Sequence, residues 1–226
     1  MKVEIKDLIK IHEFKKKYHV VFNKANYVFY PGVFYYILGE AASGKTSLLN
    51  ILGLQVRKDE GLIIVNDKKL TKFSSLEKAK IRNKKIGYVY DYPVLNSSLT
   101  VRENIMLPLL INDKFEKNQR ERMVRDLLIE FGLERKADYF PHHLSETEKH
   151  KTCIIRALIH KPDLILLDEP YKNLDLETID LLNDKLRKLV LQGHTVILAS
   201  KYEPASDFEG KILKIENRVL VEENGR

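Results

Sequence analysis

The sequence predicts an α/β fold in which a mainly parallel sheet carries an inserted block of helices, and three observations predict it. Short apolar runs alternate with stretches of helical pattern; the middle, from about Leu99 to Lys161, contains no convincing strand; and the eight residues Gly39-Glu-Ala-Ala-Ser-Gly44-Lys45-Thr46 join an apolar run to a helical stretch. Alternation of this kind is the mark of βα units, whose crossovers leave neighbouring strands parallel.

Each element has its own warrant. Met1 to Lys10 alternates charge with Val, Ile and Leu as an edge strand does, and it shows no signal-peptide pattern, so the mature protein is expected to begin near Met1. Strands are expected over Val20 to Phe29, Val33 to Leu38, Gly61 to Val65, Ile86 to Tyr90, Leu164 to Leu167, Thr195 to Ala199 and Lys211 to Ile215, where apolar, β-branched and aromatic residues concentrate. Lys45 to Leu52 reads as a helix, and so do Val101 to Leu110, Asn118 to Phe131 and Ser145 to His160. In the second of those three, Val124, Leu127, Leu128 and Phe131 fall on one face at a 3.6-residue period. No repeat or linker divides the chain, so one domain over residues 1–226 is expected, with a sheet core at 1–98 and 162–226 and a helical subdomain at 99–161.

Residues 39–46 match G-x-x-x-x-G-K-[ST] at every fixed position, which predicts a nucleoside triphosphate site on a P-loop NTPase fold. A strand before the loop and a helix after it point backbone N–H groups and the positive end of the helix dipole at a polyphosphate. The expected binding residues are Gly39, Glu40, Ala41, Ala42, Ser43, Gly44, Lys45, Thr46 and Ser47. Lys45 would reach the β- and γ-phosphates, and the Thr46 hydroxyl would face Mg²⁺. A second motif, Leu164-Ile-Leu-Leu-Asp168-Glu169-Pro170, is an apolar strand ending in two acids. The backbone turns at a strand end, so both can approach one metal–nucleotide centre, Asp168 holding Mg²⁺ and Glu169 polarising the attacking water as general base.

Composition bounds the partners. The chain has 226 residues, is 44% hydrophobic and carries 39 Lys and Arg against 32 Asp and Glu, for a net charge of +7. The excess is spread thinly, Lys15-Lys16-Lys17 being the densest run, so no nucleic-acid partner is expected. One cysteine, Cys153, forbids an internal disulfide and reads as a small core residue on a helix. The longest apolar run, Ile105 to Ile111, has seven residues and contains Pro108, far short of the roughly 20 that cross a bilayer. If the protein works at a membrane, another chain is expected to supply the span.

The order of these motifs resembles the ATP-binding cassette family, the nucleotide-binding subunits of ABC transporters, over essentially the whole chain. Ile86-Gly-Tyr-Val-Tyr90 resembles the strand into the family's glutamine loop, and Leu144-Ser145 with Ile154-Ile-Arg156-Ala-Leu158 the signature loop and its helix. Lys172-Asn173-Leu174-Asp175 is similar to the D-loop, and Gly193 to Ser200 to the strand into the switch loop. Thr100-Val-Arg-Glu-Asn-Ile-Met-Leu-Pro-Leu109 is similar to the lipoprotein-release, macrolide-efflux and FtsE-like group. The resemblance implies a P-loop fold with an N-terminal antiparallel β portion, ATP and Mg²⁺ as cofactors, and a head-to-tail dimer with a second cassette, like or unlike. In it Ser145 would face the partner's nucleotide. It also implies a transmembrane permease partner, a cytoplasmic location at the inner face of the membrane, and an aromatic stacked on adenine, here Phe14 or Tyr18.

Three departures from that pattern stand out. Asp91 replaces the loop glutamine and could still bind Mg²⁺ and water. Lys201 replaces the switch histidine; it can pair with phosphate but donates only and stays charged, which suits it poorly to orienting water. Leu144-Ser145-Glu146-Thr147-Glu148 stands where L-S-G-G-Q is expected, and its side chains block the close approach that two glycines permit. Ser145-x-x-Glu148 also reads simply as a capping box. Two functions follow: a transporter ATPase subunit working through Lys45, Thr46, Asp168 and Glu169 with Lys201 beside them, or a low-turnover subunit that regulates or pairs with an orthodox cassette. A DNA- or ribosome-directed ABC protein is disfavoured, because the span from Lys45 to Ser145 leaves no room for a long coiled coil.

Overall fold

The computed structural model of the chain describes residues 1–112, 114–202 and 209–223, with Phe14 described by its backbone alone. Two sheets form. In the first, β1 (Val3–Phe14) pairs antiparallel with both β2 (Lys17–Phe29) and β4 (Glu60–Val65), and β5 (Lys68–Lys69) completes the order β2-β1-β4-β5. The second sheet takes β3 (Phe34–Leu38), β6 (Ile86–Val89), β7 (Leu164–Asp168), β8 (Thr195–Ser200), β9 (Lys211–Glu216) and β10 (Val219–Glu222) in the order β10-β9-β3-β8-β7-β6. All its pairs are parallel except the β9–β10 hairpin.

The expected edge strand is a correction. β1 lies inside its sheet, between β2 and β4. Its charge alternation reports burial on one face, where Val3, Ile5 and Leu8 are packed, and says nothing of its place in the order. The antiparallel sheet lies in the N-terminal portion, between Val3 and Lys69, with β4 and β5 following the first helix. Its hairpins turn at Lys15-Lys16 and at Asn66-Asp67, and β9–β10 turns at Asn217-Arg218; in each pair both residues have positive φ, as a tight right-twisted hairpin requires.

Helices α1 (Lys45–Leu52), α2 (Ser75–Lys85), α3 (Val101–Ile111), α4 (Lys117–Glu130), α5 (Glu146–Leu158) and α6 (Leu176–Leu191) complete the fold. α2, α3 and α5 each begin with a capping box: Ser74 with Glu77, Thr100 with Glu103, Ser145 with Glu148. Between β6 and β7 the described residues contain no strand. Alternate residues of the parallel strands face two cores. Tyr36, Leu38, Leu167 and Leu198 pack against α3 to α6, with Val124, Leu128 and Phe131 of α4 and its C-terminus among them. Tyr35, Ile37, Leu166 and Ile197 pack against α1 and the antiparallel sheet. Cys153 is buried on α5. Gly87 sets how closely the helices approach, since a Cβ there would lie 2.2 Å from the Ala157 carbonyl oxygen of α5.

Candidate nucleotide-binding site

β3 is buried at all five positions and delivers the chain to a loop whose turns need unusual backbone: Ala42 has φ 63° and Gly44, which caps α1, has φ 106°. Glycine is required at 44 twice over, because a Cβ would also meet Val21 Cγ1 at 2.7 Å. Lys45, buried in the first turn of α1, turns its amine back to donate to the carbonyls of Gly39 and, at 2.9 Å, of Glu40. Burial lowers its pKa, with Glu169, Asp168 and Glu40 opposing.

β7 brings the paired acids to the same place. Asp168 is buried against α1, and the Thr46 hydroxyl donates to it. Burial pushes its carboxyl up to about 6; the Thr46 hydrogen bond opposes this, and the neighbouring Asp91 and Glu169 carboxylates add to it. Glu169 turns out of the strand at φ 46°, and its N–H donates to the Ala199 carbonyl at 2.9 Å. Ser200 Oγ donates to Glu169 Oε2 at 3.4 Å and accepts from the Tyr202 N–H at 3.2 Å. The result is a cleft of about 430 Å³ lined by Ala41 to Ser47, Asp91, Asp168 and Glu169 on one side and His12, His19 and Val21 on the other.

Two polar atoms in this cleft, Ser43 Oγ and Asp168 Oδ2, are buried without a hydrogen-bond partner among the described residues. Orphaned buried oxygens at a phosphate loop fit a ligand that supplies their partners. A carboxylate and a hydroxyl together are a hard-oxygen donor set of the kind Mg²⁺ takes. Gly39 and Glu40 stand at the rim rather than in the wall. Lys201 reaches that rim from the end of β8, its Nζ lying 3.1 Å from Glu40 Oε2.

Of the two aromatics weighed for the nucleobase, the Phe14 side chain lies outside the described residues, and Tyr18 is 73% exposed and does not line the cleft. The residues there are His12 and His19, cross-strand partners on β1 and β2, with His12 Nε2 3.0 Å from Ser47 Oγ. A register count from the Lys15-Lys16 turn would have paired them.

Ser145 lies away from the cleft, as the cap of α5. Its side chain accepts from the Glu148 N–H, and Glu148 accepts in return from the Ser145 N–H at 2.8 Å. Glu146 pairs with Lys149 at 2.7 Å and Glu148 with Lys136 at 3.4 Å, so both carboxylates are already engaged. Three contacts bind α5 to the segment after Glu169. Thr147 Oγ1 donates to the Asn173 carbonyl at 2.8 Å, His150 Nε2 donates to the Pro170 carbonyl at 3.0 Å, and Lys151 pairs with Asp175 at 3.2 Å.

The sequence profile of the ABC transporter family matches residues 22–172. The macrolide export ATP-binding/permease protein MacB of Campylobacter jejuni is 36% identical over 169 residues, covering 75% of this chain and 26% of MacB, so the chain spans about a quarter of that relative. The lipoprotein-releasing system ATP-binding protein LolD of Saccharophagus degradans is 33% identical over 167 residues, 74% of this chain and 73% of LolD. An uncharacterized ABC transporter ATP-binding protein of Methanocaldococcus jannaschii, MJ1508, is 29% identical over 220 residues, 97% of this chain and 98% of its own. Among solved structures, the dimeric post-hydrolysis state of the ATP-binding cassette MJ0796 bound to ADP and Pi matches with a TM-score of 0.90 at 29% identity, covering 99% of both chains. The chain belongs to the ABC transporter family, as an ATP-binding cassette.

Proposed function

We propose that this cassette binds Mg-ATP in the cleft between residues 39–47 and the paired acids, and couples that binding, with hydrolysis, to a separate transmembrane permease. One observation carries the reading: Lys45, Thr46, Asp91, Asp168 and Glu169, distant in sequence, converge on one cleft that holds orphaned buried oxygens. Thr46, Asp168 and Asp91 would hold Mg²⁺, which neutralises phosphate charge when bound. Lys45 holds the phosphates by charge-assisted hydrogen bonds, and Glu169, turned toward the cleft at the strand end, accepts the proton of the attacking water. Ser145 faces the nucleotide of a second cassette, and residues 99–161 act as a helical subdomain on the sheet core.

The likeness to a dimeric ATP-binding cassette supports the second copy or a related chain as partner. Relatives named as a permease fusion and as a release-system subunit support a membrane partner. No helix among the described residues is long and apolar enough to cross a membrane, which fits a chain peripheral at its inner face. A low-turnover subunit is the second reading, favoured by Glu146, Thr147 and Glu148 at the signature and by Lys201 at the switch. Calorimetry with Mg-ATP tests the first step: the parent binds, and Lys45→Ala weakens binding at least about tenfold by removing a charge-assisted contact. Equal affinity in the two proteins overturns the assignment.

A further inference from the structure

We infer that Glu40 is a positioning residue that holds the Lys201 ammonium in reserve at the rim of the phosphate loop and yields it to a triphosphate in preference to a diphosphate. The inference rests on the nucleotide-binding reading above. Lys201 Nζ stands 3.1 Å from Glu40 Oε2 and 5.3 Å from the centroid of the Tyr202 ring. The backbone that carries it is fixed to the base side of the site: Ser200 donates to Glu169 and accepts from the Tyr202 N–H, bracketing Lys201. The Lys201 side chain is thus anchored through its backbone at the end of β8 and ion-paired through its ammonium to the loop after β3.

The charges explain why such a contact is a switch. Glu40 belongs to the loop that would hold the phosphates, and its carbonyl accepts from the Lys45 amine at 2.9 Å, so both charges stand beside that loop. An ion pair with partners 42% and 79% exposed is weak, and a more highly charged group displaces its acidic member easily. A polyphosphate beside Gly39 to Thr46 repels the Glu40 carboxylate and attracts the ammonium it was holding. A triphosphate, with one more phosphoryl group than a diphosphate, competes with more charge. Glu40 therefore lowers the cost of leaving Lys201 unused when the terminal phosphate is absent, and in doing so opposes ATP more than ADP.

The experiment has two arms. In the protein without nucleotide, Lys201 is labelled with an amine-reactive ester and read by peptide mass spectrometry; Glu40→Gln and Glu40→Ala label it faster than the parent. In the second, Kd values for Mg-ATP and Mg-ADP are measured in parent, Glu40→Gln, Lys201→Met and the double variant. Glu40→Gln tightens Mg-ATP by about two- to fivefold more than Mg-ADP, and that selective gain disappears in the Lys201→Met background. Lys201→Arg, which keeps the charge, keeps the gain. Equal tightening of both nucleotides, or a gain that survives Lys201→Met, shows a simple repulsive charge and overturns the inference. Unchanged labelling of Lys201 in both Glu40 variants also overturns it. A parent that binds neither nucleotide overturns the reading it rests on as well, which separates the two failures.

Discussion

His160→Leu should make the protein markedly less sensitive to mild acid. His160 follows α5, is 6% exposed, and neither ring nitrogen has a hydrogen-bond partner among the described residues. Burial lowers its pKa from 6.5 to about 4, with Asp163 opposing. The folded protein therefore keeps this imidazole neutral while the unfolded chain protonates it. Stability tied to His160 is constant above about pH 6.5, falls as pH drops from about 6.5 to about 4, and levels off below. At pH 5 the loss is RT times the logarithm of the ratio of the unfolded to the folded proton-binding polynomial, about 2 kcal/mol. For a chain of this size that is a fall in Tm of about 4–8 °C. Leucine fills a similar volume, does not titrate and leaves no polar atom unpaired. Thermal and urea unfolding of parent and variant at pH 7.5 and pH 5 should show the parent losing about 2 kcal/mol more on acidification; buried His150 is present in both and cancels. Equal losses in the two proteins would refute the reasoning.

Three further outcomes are expected. Glu169→Gln should preserve ATP binding and remove turnover by about 10²- to 10⁴-fold, and Lys201→His should raise the parent rate, because histidine can accept as well as donate; a phosphate-release assay in which Lys201→His is slower than the parent counts against that role. The Glu169→Gln protein with ATP should stay largely monomeric by light scattering, since Glu146 and Glu148 would face the partner's triphosphate, while Glu146→Gly, Thr147→Gly and Glu148→Gln together should promote the dimer; a stable ATP-dependent homodimer with the native signature would refute this. Gly87→Ala should cost about 1–3 kcal/mol in urea unfolding, because its Cβ would meet backbone of α5 at 2.2 Å; an unchanged midpoint would show that the helix moves freely away from the sheet.

The parallel strands were the legible part of the fold. β3, β7 and β8 are buried at every position, so they read as unbroken apolar runs bounded by turns. α3, α4 and α5 were legible through their 3.6-residue period. α6 carries the same signal in Thr178, Leu182, Leu186 and Leu189, a stripe as regular as that of α4, though it is not among the expected helices. α2 buries none of its residues, so no stripe marks it, and only its Ser74–Glu77 capping box announces it. β10 has four residues with Leu220 alone buried, too little for a pattern. At the candidate site, the phosphate loop and the paired acids have fixed local spacing and could be read directly. His12 and His19 carry no motif and meet only through the register set by the Lys15-Lys16 turn, and Glu40 meets Lys201 only because the parallel order sets β3 beside β8.

The three contacts from α5 to Pro170, Asn173 and Asp175 have a mechanical consequence. They tie the helix capped by Ser145 directly to the stretch of chain leaving Glu169, so any displacement of one against the other must strain or break these contacts. The nearest of them, His150 to the Pro170 carbonyl, is one residue from Glu169. A load on α5 thereby reaches the backbone next to the acid, through a helix that Gly87 lets pack tightly on the sheet.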